Sequence, residues 1–67
     1  MKYFYHYDRH FKRYVDEFDD LDKLIQTACF NLYEDRSAYP IKVTNEQDET
    51  VFDQDQFIRE IDKIIDK

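Results

Sequence analysis

No glycine occurs anywhere in this 67-residue sequence. Every tight turn must therefore be built from residues that carry a Cβ, and any position with positive φ falls to a residue for which that region is strained. The same absence removes the glycine-rich loops that cradle phosphates and the glycine-flanked nucleophile elbow. A chain this short makes one small domain, with no room for a large enzyme core. Residues 1–67 read as a single unit, because no repeat, low-complexity tract or linker interrupts them.

The chain is nevertheless built to fold. Hydrophobic residues make up 42% of it and aromatics 18%, and they recur periodically, which argues against disorder. The amino terminus is not a basic start followed by a greasy stretch, and the apolar runs are short, so neither a signal peptide nor a membrane span is expected. A lone Cys29 can form no internal disulfide, so nothing calls for an oxidising compartment. The expectation is a cytoplasmic protein that relies on good packing or on a partner.

Residues 2–7 alternate as a strand, with Tyr3, Tyr5 and Tyr7 on one face and Phe4 and His6 on the other. Asp8-Arg9-His10 reads as a turn, and Phe11 to Val15 as a returning second strand. From Asp19 to about Asp35, Leu21, Leu24, Ile25, Ala28, Cys29 and Leu32 fall on one helical stripe, with Asp19 placed to cap it and Asp20 and Asp22 in its first turn. Tyr39-Pro40 ends that helix. Ile41–Thr44 and Thr50–Phe52 form a hairpin around the loop Asn45–Glu49, where Asn45 is the candidate for positive φ. Asp53 and Gln56 then form a capping box before Phe57, Ile58, Ile61, Ile64 and Ile65. The order ββαββα predicts an α+β domain in which an antiparallel sheet of three to four strands carries two helices on one face. The other face is left to solvent or a partner.

Chemistry-bearing clusters are few. His6, Asp8 and His10 share a parity that a straight strand would turn into a ligand set, but a structural zinc site needs four ligands and the only cysteine lies on the helix stripe. Cys29 reads as a core residue, and no nucleophile stands beside a histidine at a recognised spacing. No metal, no cofactor and no enzymatic activity are expected.

Charge is the stronger signal. Asp16, Glu17, Asp19, Asp20 and Asp22 put five carboxylates within seven positions, and Glu46, Asp48, Glu49, Asp53 and Asp55 form a second group around the hairpin and its exit, of which Glu46, Asp48 and Glu49 are expected to join the first five in partner contact. Residues 1–14 carry a net +3, so the remaining 53 carry −9 of the overall −6. A carboxylate array on a small scaffold can imitate duplex phosphates and compete for the basic groove of a nucleic-acid enzyme. In size and charge, though through no motif, the chain resembles the small acidic inhibitors encoded by bacterial viruses, anti-restriction and anti-CRISPR proteins as a class. The resemblance implies a non-enzymatic protein-interaction module whose partner is a nucleic-acid enzyme. The bland alternative is that these acids cap a helix and keep the domain soluble.

Tyrosines carry a second expectation. Six in so short a chain exceed what its core should absorb, and tyrosine is enriched at interface centres. Tyr3, Tyr5 and Tyr7 are expected to face a protein partner or a homodimer mate, unless they line the core and Phe4 and His6 face outward. The rival to mimicry is thus a small regulatory or structural protein that pairs through an aromatic sheet face. Third comes direct binding of single-stranded nucleic acid by the basic aromatic beginning, Tyr3 to Tyr14, against which the overall acidity argues.

Overall fold

The computed structural model describes residues 1–65. The first two strands, β1 (Tyr3–Arg9) and β2 (Lys12–Phe18), form a hairpin, followed by α1 (Leu21–Cys29), β3 (Tyr39–Asn45), β4 (Thr50–Phe52) and α2 (Gln54–Ile65). This is the expected ββαββα order. The four strands make one antiparallel sheet in the order β2-β1-β3-β4, so β1 is central and β2 is a full-length edge.

The missing glycines leave a record in the backbone. His10 and Phe11 close the first hairpin with φ of 53° and 67°, the pattern of a type I′ turn normally given to Asn-Gly. This turn falls one residue later than Asp8-Arg9-His10, so β2 starts at Lys12 and runs on to Phe18, past the expected end at Val15. In the second hairpin Asp48, not Asn45, takes the positive φ of 61°. Asn45 works through its side chain instead: its Oδ1 accepts the N–H groups of Gln47 and Glu49 at 2.9 and 3.0 Å.

Asp20, rather than Asp19, caps α1 by accepting the N–H of Asp22 at 2.9 Å. The helix is also shorter than its apolar stripe suggests. Beyond Cys29 the chain widens into a π-helical segment, Phe30–Glu34, and Arg36 turns it at φ 53° where a glycine would ordinarily end a helix. At α2 Asp53 is the cap as expected, its Oδ1 accepting the Gln56 N–H at 2.9 Å. Pro40 lies within β3, next to the register shift against β1 between His6 and Tyr7. The irregularity lets an inner strand accommodate a residue without an N–H.

The core corrects the expectation for the tyrosines. Tyr5 is 0% exposed and Tyr7 is buried, in one cluster with Leu24, Ile25, Ala28, Val43, Phe57 and Ile61. Tyr5 meets Phe57 of α2 edge to face at 5.6 Å and Tyr7 at 4.7 Å. Tyr3 is half-buried against the same cluster. Both helices therefore cover the tyrosine face: Tyr5 and Tyr7 are core residues, not partner contacts, and Tyr3 packs at the core's margin. The reason is size: α1 and α2 are short, and three large rings on β1 fill the space that aliphatic side chains alone would leave between helices and sheet. Cys29 packs at the rim of this core, half-buried, and burial pushes its thiol pKa up.

Candidate acidic interaction surface

The sheet register decides where the two acidic groups sit. Tyr3 at the start of β1 pairs with Phe18 at the end of β2 on one side and with Asn45 at the end of β3 on the other. The stretches that follow those ends, Asp19–Asp22 and Glu46–Glu49, thus emerge at the same end of the sheet although more than twenty residues separate them in sequence. Lys2 stands between them. Its Nζ lies 3.1 Å from Glu17 Oε2, and its backbone N–H donates to Glu46 Oε1. Carboxylates of both groups thus converge on Lys2, and Glu17 first, then Asp19 and Glu46, hold its ammonium above its ordinary pKa.

The acids at this end are not equivalent. Asp19, Asp22, Glu46, Asp48 and Glu49 are exposed. The Asp20 carboxylate is committed to the α1 cap. Glu49 lies within reach of Asn45 Nδ2 at 3.4 Å. Asp16 and Glu17, adjacent on β2, point to opposite faces of the sheet. Asp16 shares the helix side with Tyr7, whose hydroxyl donates to it at 3.0 Å, and burial together with that bond pushes the Tyr7 phenol up. Glu17 lies on the open face. The sequence-predicted set therefore divides: Asp19, Asp22, Glu46, Asp48 and Glu49 form a shared exposed end, Glu17 borders it, Asp20 has a structural task, and Asp16 stands apart.

The opposite end of the sheet is basic. Arg9, His10, Phe11, Lys12 and Arg13 surround the first hairpin turn, with Arg13 Nε bonded to Asp8 Oδ1 at 2.7 Å. Phe11 is fully exposed, and Tyr14 partly so. A seven-residue strand separates the two ends by roughly 20 Å, more than two Debye lengths at physiological salt, so each presents its own field to a partner. On the open face His6 Nε2 lies 2.9 Å from Thr44 Oγ1, and burial, then Lys42, lowers the His6 pKa. His10 lies in the turn, so His6, Asp8 and His10 are not brought together on one strand face. Lys2, the residue that joins the two acidic stretches, had no distinguishing signal in the sequence.

No protein-family model, curated protein or solved structure matches this chain. Among the described residues no helix is long and apolar enough to cross a membrane.

Proposed function

We propose that the protein is a non-enzymatic interaction module whose acidic end docks on a basic protein surface, most specifically the nucleic-acid groove of an enzyme that it inhibits. The observation that carries this reading is the convergence of Glu17 and Asp19 with Glu46 around Lys2 at one end of the sheet, with Asp22, Asp48 and Glu49 exposed in the same two stretches. Carboxylates delivered by two separate elements of one fold have their backbone positions set before binding, so the array competes with phosphates for Lys and Arg with only side-chain ordering left to supply. The aromatic contribution once expected from Tyr3, Tyr5 and Tyr7 is not part of the mechanism, since Tyr5 and Tyr7 are in the core and Tyr3 packs half-buried against it.

The experiment is affinity capture from nuclease-treated lysate with stepwise salt elution and with duplex DNA as competitor, for the native chain and for Asp19→Lys/Glu46→Lys. This pair takes one carboxylate from each stretch and leaves the α1 cap and the Asn45 turn in place. Capture of a nucleic-acid enzyme that leaves at moderate salt, yields to DNA and is lost in the double variant supports the reading. Capture that survives the double reversal and ignores competing DNA overturns it.

A further inference from the structure

We propose that β2 is the seam of a homodimer, in which two copies pair their β2 edges antiparallel about Val15 and merge into one eight-stranded sheet. This goes beyond the acidic-end reading and does not rest on it. The first observation is the edge itself. Seven residues long, free of proline and without a register shift against β1, β2 is exposed along its length up to Phe18, with Tyr14 41% and Val15 50% exposed. Among the described residues its outer backbone groups have no strand beside them. The other edge, β4, has only three residues.

The second observation is which groups point outward. A two-residue type I′ loop is closed by a hydrogen-bonded pair, here Arg9 and Lys12. Alternation then turns the N–H and C=O of Lys12, Tyr14, Asp16 and Phe18 towards β1 and those of Arg13, Val15 and Glu17 outward. An antiparallel mate centred on Val15 sets Arg13 opposite Glu17, Val15 opposite Val15 and Glu17 opposite Arg13, so every outward group of those three residues finds a partner.

The third observation names the occupant. Along β2 the order is Lys12, Arg13, then Asp16, Glu17, cations first and carboxylates last. In the antiparallel arrangement each Arg13 faces a Glu17 on the open side, twice by symmetry, and Tyr14 faces Asp16 on the helix side. A parallel in-register mate would set like charges abreast. Within one copy Glu17 is held by Lys2 and Arg13 by Asp8, so the seam would join these pairs into an alternating row: Lys2, Glu17, then Arg13 and Asp8 of the second copy. Charges on an edge ordinarily serve to keep other strands away. Here their order repels most mates and fits one, a second copy of the same strand.

The test is sedimentation equilibrium of the full chain from about 5 to about 500 µM, for the native protein, Arg13→Glu, Glu17→Arg, the double swap, and an equimolar mixture of the two single variants. The native chain should dimerise, and each single reversal should weaken the dimer about tenfold or more, since two like-charge pairs replace two attractive ones. The mixture and the double swap should restore it, because each again sets Arg against Glu at both contacts. Val15→Pro removes an outward N–H from an edge strand and should remain folded by circular dichroism yet monomeric. A native chain monomeric throughout, single reversals without effect, failure of the mixture to restore association, or a dimer persisting in folded Val15→Pro would each overturn the proposal.

Discussion

Replacing Tyr5 with phenylalanine should stabilise the protein. Tyr5 is 0% exposed, and its Oη is the one buried side-chain polar atom without a hydrogen-bond partner among the described residues. Asn31 stands near enough to ease the ionisation of Tyr5, but without a bond of good geometry. A buried polar group left unpaired costs about 1–3 kcal/mol. Removing the oxygen forfeits a few dispersion contacts of roughly 0.1–0.2 kcal/mol each, so the net gain is about 1 kcal/mol or somewhat more. In a domain of this size that raises the melting temperature by about 4–8 °C. Urea unfolding read by circular dichroism should show a higher midpoint with an unchanged slope. The difference should widen in alkali. Burial pushes the Tyr5 phenol from 10.0 up to about 12, so the unfolded chain ionises first: the contribution is fully present below pH 10 and is lost as pH rises towards 12. Tyr7 and Tyr33 are raised as well, so Tyr5→Phe keeps part of this alkaline loss. A variant less stable at neutral pH by about 1 kcal/mol would refute the reasoning, because it would mean that the hydroxyl is paired.

Phe11 holds φ 67° while fully exposed, so Phe11→Gly should gain about 1 kcal/mol from relieved backbone strain and lose no packing, as a urea midpoint would show. Asp53→Ala removes the acceptor of the Gln56 N–H and should cost about 1 kcal/mol in the same assay, whereas Asp53→Asn should cost much less. The Ser37 hydroxyl first, and then its N–H, which donates to Asp35 Oδ1 at 2.8 Å, hold the Asp35 carboxyl below the ordinary 3.8. Its contribution is present above pH 3.8 and fades as pH falls through the lower folded value, so an acid melt of Asp35→Asn should lack that component of the native chain's slope.

What was legible in the sequence follows from what each residue has to satisfy. The stripe of Leu24, Ile25 and Ala28 on α1, and Phe57 with Ile61 on α2, mark buried helix faces that only a 3.6-residue period can produce, and the structure buries all five. Period two placed Tyr3, Tyr5 and Tyr7 on one face but is silent about which face the helices cover. Asp8, which shares the face of Phe4 and His6, was the available sign that this second face is the wet one. The far half of β2 was hidden for a related reason. Up to Glu17 this edge strand is exposed on both faces, so Asp16 and Glu17 lack the apolar alternation by which a half-buried strand is recognised, and only Phe18 turns in against the core. The π-helical segment after Cys29 has no local signature either, since Leu32 continues the apolar stripe of α1 through it.

The acidic end and the β2 seam meet at Glu17, and this links the two proposals thermodynamically. A two-fold through Val15 sets the acidic end of each copy beside the basic hairpin tip of the other, so Arg13 and Lys12 of the second copy would neutralise Glu17 and weaken the field of Asp19 near it. A basic partner and a second copy then compete for one region, and each lowers the affinity for the other by the same factor. Val15→Pro separates the two effects, because it blocks pairing and alters no charge. Titrated against the captured partner, this variant should bind with an affinity independent of its own concentration, while the native chain should bind more weakly as its concentration rises into the dimer range. Equal partner affinity for native dimer and monomeric variant would mean that Asp19, Asp22, Glu46, Asp48 and Glu49 act beyond reach of the seam, and the two surfaces would then be independent.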